Sequence, residues 1–136
     1  MNKEELLQRT KSFALRVMKL VDSLPNNLSG RTIGGQLIRS GTSVASNYRA
    51  ACRGRSKAEF IAKLGIVEEE ADESVFWMEL IIESGLLKKN LVMDLLQEGK
   101  EITAIIAASK ISARNNLKQK SKIENRKSKI TNVQTR

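Results

Sequence analysis

Apolar residues recur at helical spacing along most of the chain, and no segment alternates as a half-buried strand would. In residues 1–24 the stripe is Leu6, Phe13, Val17, Leu20 and Leu24, widened by Leu7, Ala14, Met18 and Val21. Leu24-Pro25-Asn26-Asn27 then stops the first helix, because a residue before proline is pushed out of the helical region. A second helix is predicted over 30–53, carrying Ile33, Leu37, Val44 and Tyr48 among many small residues. Gly34, Gly35 and Gly41 lie inside it at a cost of about 1 kcal/mol each relative to alanine. Close approach of a neighbouring helix would repay that cost.

Ser56-Lys57-Ala58-Glu59 reads as a capping box that opens a third helix over 57–84. Its stripe is Phe60, Leu64, Val67, Ala71, Met78 and Ile81, widened by Ile61, Ile66, Phe76, Trp77, Leu80 and Ile82, and Gly85 closes it. A fourth helix is predicted over 90–113, with Leu91, Leu95, Ile102, Ile105 and Ile106. Short connections favour antiparallel neighbours. The expected fold is therefore all-α, an antiparallel up-down-up-down four-helix bundle over 1–114. The stripes are wider than a narrow seam, which fits either a thick core or a second buried face between subunits. Residues 115–136 hold Lys118, Lys120, Lys122, Arg126, Lys127, Lys129 and Arg136 against only Glu124. They read as a loosely ordered basic tail, with a frayed continuation of the fourth helix as the alternative.

Composition removes several chemistries. The 136 residues contain no histidine, one cysteine and one proline. Without histidine there is no serine or cysteine triad and no His-ligated zinc. One cysteine excludes an internal disulfide and a thiolate metal site. No cofactor, metal site or catalytic residue is expected, and the chain reads as a non-enzyme. There is no run of 18 apolar residues and no apolar leader, so a soluble, cytoplasmic protein is the expectation.

The net charge of +9 is unevenly spread. Residues 25–57 carry six basic side chains and no acid: Arg31, Arg39, Arg49, Arg53, Arg55 and Lys57. Residues 58–86 carry eight acids against Lys63 alone. Two readings are open for the mid-helix arginines. Arg39 and Arg49 pair with carboxylates of the third helix or of a neighbouring subunit, or part of the set faces phosphates. For the Arg53, Arg55, Lys57 corner, anion binding is favoured, helped by the free N–H groups at the start of the third helix. Ser40, Ser43, Ser46 and Asn47 read as a polar layer, with Glu70 and Glu73 as candidate partners.

Other motifs carry less. Gly30-Arg31-Thr32-Ile33-Gly34-Gly35 has the glycine spacing of a phosphate loop but lacks its Lys-Ser/Thr ending and a preceding strand. Glu68-Glu69-Glu70-Ala71-Asp72-Glu73 is a carboxylate cluster, but the usual di-metal bundle site also needs histidines. It reads as a solvated or salt-bridged face. Cys52 reads as a small buried side chain and Trp77 as core or interface.

Several blocks together resemble a known family. Arg39-Ser40-Gly41-Thr42-Ser43-Val44-Ala45-Ser46-Asn47-Tyr48-Arg49, Arg55-Ser56-Lys57-Ala58-Glu59-Phe60, Glu70-Ala71-Asp72-Glu73-Ser74 and Glu83-Ser84-Gly85-Leu86 look like the signature of the four-helix-bundle, or 23S rRNA-intervening-sequence, proteins. The resemblance covers about residues 8–112, and Glu69 departs from the basic character usual there. The family is similar to the accessory variability determinant of diversity-generating retroelements, a ring-shaped homopentamer that binds nucleic acid and a reverse transcriptase. The resemblance thus implies a bundle, self-association with five subunits favoured, and a nucleic-acid-linked role without catalysis. The expected nucleic-acid contacts are Arg53, Arg55, Lys57, Lys118, Lys120, Lys122, Arg126, Lys127 and Lys129. Arg39, Ser43, Asn47, Arg49, Glu70 and Glu73 are the expected polar layer or subunit pairing. The alternative is a protein-interaction module that docks a partner such as a reverse transcriptase without itself touching nucleic acid.

Overall fold

A computed structural model describes residues 1–134, with side chains described to residue 130. Arg136, counted above among the tail cations, lies outside the described residues. Four α-helices account for nearly all of it: α1 Lys3–Asp22, α2 Leu28–Cys52, α3 Lys57–Ser84 and α4 Lys89–Gln134. There is no strand among the described residues. Each helix packs on the next in sequence, and α4 also meets α1, so the four close around one core.

The helix starts follow from polar caps. Asn2 Oδ1 accepts from the Glu5 N–H at 2.8 Å, and Asn27 Oδ1 accepts from the Gly30 N–H at 2.8 Å. Ser56 Oγ accepts from the Glu59 N–H at 3.1 Å. Each satisfies a donor that the first helical turn would leave open. Gly85 ends α3 in the left-handed region, with φ of 76°, while the Leu86 N–H reaches back to the Ile81 carbonyl. Among the described residues no other has a positive φ.

The core takes Phe13 and Val17 from α1, Leu37 and Val44 from α2, Leu64, Val67, Met78 and Ile81 from α3, and Val92, Ile102 and Ile106 from α4. Thr10 is fully buried among them and bonds back to the Leu6 carbonyl at 2.9 Å. Gly41 is where α1 and α2 come closest. A methyl group there would lie 2.7 Å from Val17 Cγ1, well inside normal carbon contact. Gly34 likewise faces Val21 and Leu24, whereas Gly35 faces open space. Gly30 faces the Pro25 carbonyl, so three of the four α2 glycines serve close packing and Gly35 does not.

Several boundaries differ from expectation. α1 ends at Asp22, α2 begins at Leu28, directly after its cap Asn27, and the end of α2 and the start of α4 shift by one residue. The larger difference is at the C-terminus. α4 does not stop near residue 113 but runs to Gln134, so residues 115–134 follow the alternative reading, a continuation of the fourth helix, rather than a loosely ordered tail. No glycine or proline follows Gly99, and lysine, glutamine, arginine and leucine are good helix formers. The distinction between a packed part and a solvated part still stands. Ala113 is the last buried residue, Leu117 is half-buried, and residues 118–130 are all exposed. The extension beyond Ala113 is roughly 30 Å long at the helical rise.

A candidate nucleic-acid interface

The basic residues divide into three groups once they are folded. Arg39 is committed within the chain. Its guanidinium donates to Glu70 Oε2 at 3.1 Å and to Glu73 Oε2 at 2.6 Å. Glu73 also accepts from the Trp77 indole N–H at 3.3 Å. Arg39 donation, aided by Trp77 and opposed by partial burial, holds the Glu73 carboxyl below its ordinary value. Of the two readings for Arg39, the structure takes the pairing with α3.

Arg49 goes elsewhere. It is exposed, reaches no α3 carboxylate, and lines a groove between α1 and α2 with Arg53. That groove, of about 660 Å³, has Leu7, Ala45 and Cys52 on its walls and Lys11 at its α1 rim. Tyr48, next to Arg49 in sequence, is buried, and burial together with Cys52 pushes its phenol well above the usual range. The expected polar layer is also revised. Ser40 bonds not to Glu70 or Glu73 but to Ser74, Oγ to Oγ at 2.8 Å, in the buried α2–α3 interface. Asn47 donates to the Ser43 carbonyl at 2.9 Å and Ser46 to the same carbonyl at 3.4 Å, so both serve their own helix. Glu70 and Glu73 are taken by Arg39, and on their own exposed helix side Ser43 and Asn47 are only half-buried.

The second group is the α2–α3 corner. Arg53, Arg55 and Lys57 are all exposed around two shallow clefts of about 330 and 310 Å³. Lys63 joins the first cleft and Lys3 the second, where Lys3 Nζ sits 4.8 Å above the Phe60 ring. The start of α3 is less available to an anion than expected. Glu59 already holds it: its carboxylate accepts from the Arg55 N–H at 2.6 Å while Ser56 caps the Glu59 N–H. The capping box thus reaches one residue further back than its usual form, and it supplies the negative charge that a ligand would otherwise bring.

The third group lies on the α4 extension. Lys118, Lys120, Lys122, Arg126, Lys127 and Lys129 are exposed, and Arg114, one turn before Lys118, extends the series. Its spacing of four from Lys118 and eight from Lys122 was legible in the sequence. Lys3, Lys11 and Lys63 were not, since only the packing of the helices brings Lys3 and Lys63 to the corner and Lys11 to the α1–α2 groove. Salt bridges elsewhere tie the helices rather than a ligand: Arg9 to Glu98 at 2.7 Å between α1 and α4, and Lys110 to Glu68 between α4 and α3. Glu69, Asp72, Glu79 and Glu83 have no ion pair among the described residues and form an exposed stripe of α3 around Phe76, which is 50% exposed. Among the described residues no cluster of three or more acids or cysteine could hold a metal, and no helix is long and apolar enough to cross a membrane.

The family model for 23S rRNA-intervening sequence proteins matches residues 2–108. The chain belongs to that family. A crystal structure of a protein of unknown function from the S23 ribosomal protein family of Bacteroides thetaiotaomicron VPI-5482 is similar to it, at 29% identity and a TM-score of 0.75. The match covers 81% of this chain and 98% of that one. A comparison with curated proteins finds no match. In this 23S rRNA-intervening sequence family member the α4 extension lies beyond the family-matched residues, whereas the corner arginines lie within them.

Proposed function

We propose that the protein is a non-catalytic, oligomeric scaffold that binds nucleic acid through its α2–α3 corner and its α4 extension. The carrying observation is the row of exposed cations on a helix that leaves the bundle with only Glu124 among them before residue 130. Each phosphate they neutralise releases counterions. The up-down-up-down order belongs to the same reading. It is supported by the pairing of Gly34 with Val21 and Gly41 with Val17, and of Glu68 with Lys110 and Val75 with Gly99. Self-association is supported by two unpartnered and complementary surfaces. The acidic stripe around Phe76 matches the basic α1–α2 groove in charge, and their union would be heterologous, the kind of interface from which closed rings are built. Five subunits is the number the family resemblance favours, and cytoplasmic residence goes with the reading.

The test is fluorescence anisotropy with labelled RNA and DNA at 50 and 200 mM salt. Micromolar or tighter binding with weak sequence preference is expected, falling about a thousandfold across that range for six phosphate contacts. The chain truncated after Ser112, and Arg53, Arg55 and Lys57 changed together to Ala, should each bind more weakly with a shallower salt slope. Unchanged affinity in both refutes the assigned surface. If the full chain fails to bind at 50 mM salt, the exposed Phe76 favours the second reading, a module that docks a protein such as a polymerase.

A further inference from the structure

The arrangement of cations around the α4 extension is more specific than its net charge. At about 100° per residue, Arg114, Lys118, Lys122 and Lys129 fall within roughly 80° of the helix circumference. Lys120 and Lys127 fall on the opposite flank, about 160–180° away from that row. All six are exposed. One of the faces between the flanks carries Gln119, Ile123, Arg126 and Ile130, with no acid. The other carries Leu117, Ser121, Glu124 and Ser128. That second face continues the side on which Ala113 is buried and Leu117 half-buried, so it is the side turned toward the bundle. The one acid of the extension up to residue 130 is therefore on the bundle side, and the acid-free face looks outward between two cationic flanks.

We infer that this extension lies lengthwise in the major groove of B-form duplex DNA, one flank on the phosphates of each strand. The inference rests on the nucleic-acid reading above and narrows it to one ligand. Three properties of the helix select it. Its diameter with side chains is about 10–12 Å, and the B-form major groove is about 12 Å wide. A-form RNA has a major groove too narrow to admit it. A single strand offers phosphates to one flank only, and binds chiefly by stacking its bases on aromatic rings. The chain has no aromatic residue after Trp77. The row from Arg114 to Lys129 spans about 22 Å by helical rise, or roughly six to seven base pairs. Contacts to phosphate position the helix without reading bases, so sequence preference is weak.

The experiment titrates the full-length protein into duplex DNA, duplex RNA and each single strand of one sequence, from 50 to 200 mM salt. Two variants divide the flanks: Lys118→Gln, Lys122→Gln and Lys129→Gln together, and Lys120→Gln with Lys127→Gln. Glutamine keeps helix propensity, and circular dichroism confirms that both variants fold. Duplex DNA should bind tightest. The salt slope should fall by about 2.7 for the first variant and about 1.8 for the second. Equal or tighter binding of duplex RNA or of a single strand overturns the groove assignment. So does a change in only one flank variant, which marks a one-sided contact. Binding that survives both variants but fails when Arg53, Arg55 and Lys57 become Ala leaves the nucleic-acid reading intact and refutes this inference alone. No binding to any of the four probes at 50 mM salt refutes both.

Discussion

Replacing Gly41 with alanine tests how closely α1 and α2 are packed. Helix propensity alone favours the change by about 1 kcal/mol. Packing opposes it, because the new methyl would stand 2.7 and 2.8 Å from the two γ-carbons of Val17. Carbon atoms prefer about 3.5–4.0 Å, so the shortfall is nearly 1 Å on two atoms at once. Val17 cannot swing aside, since a valine in a helix has one strongly preferred rotamer. The helices must separate instead, loosening Leu37 and Val44 on the same face. Crowding two atoms at once puts the overpacking cost at the upper end of the usual range, about 3 kcal/mol, which leaves a net loss of about 2 kcal/mol after the propensity gain. For a chain of this length that lowers Tm by about 7 °C. Gly35→Ala is the control, because its methyl would meet nothing within 4 Å. It should stabilise by about 0.5–1 kcal/mol. Urea midpoints followed by circular dichroism compare the two. Val17→Ala in the Gly41→Ala background should cost less than the two changes added, by at least about 1 kcal/mol. A Gly41→Ala protein as stable as Gly35→Ala, or strict additivity with Val17→Ala, would refute the close approach.

Three further outcomes follow from contacts described above. Glu73 titrates below its ordinary value in the folded state because Arg39 donates to it; its contribution to stability is full above the unfolded value of about 4.3 and is lost as pH falls through the lower folded value. Carboxyl NMR should show the Glu73 midpoint rising in Arg39→Gln, and an unmoved midpoint would show that the pair is not formed in solution. Ser40→Ala and Ser74→Ala should each cost at most about 1 kcal/mol, since the remaining hydroxyl keeps its back-bond to Leu37 or Glu70, and changing both should cost little more than one; denaturant midpoints showing two full, additive losses would contradict this. Amides of residues 118–130 should exchange with solvent far faster than those around Ile102 and Ile106, because these residues are all exposed, and equal protection would mean that a partner or a second copy covers them.

The helices and their caps were largely legible because their signals are local. Ser56 with Glu59, and Gly85 after Ser84, mark both ends of α3 without reference to any other part of the chain. What the sequence hid were choices between partners of one type. Arg39 and Arg49 lie ten residues apart, about 80° around the helix, and that rotation carries one toward α3 and the other to the α1 groove. Charge counting treats them alike. The extension of α4 is ambiguous in the sequence for a different reason. A run rich in lysine, asparagine and serine lacks the apolar surface to pay for order by packing, and that argument is sound for tertiary structure. It does not bear on a helix that simply continues from one already nucleated, since each added residue then gains a backbone hydrogen bond. Gly99 has a tertiary reason instead: a side chain there would press on Val75 at 2.9 Å.

The Trp77 indole is the chain's single tryptophan, and it is hydrogen-bonded to the same carboxylate that Arg39 grips. Nature has thereby placed one fluorophore on the α2–α3 seam, with Phe76 edge-on at 5.1 Å beside it. Its emission reports a defined spot rather than an average over the molecule. Neutralising Glu73 alters the field across the indole, parting α2 from α3 lets water reach it, and covering Phe76 changes its polarity on the outer side. Acid titration, unfolding and self-association can therefore be followed in the unlabelled protein by one optical signal. The three events remain separable, because the first depends on pH, the second on denaturant and the third on protein concentration.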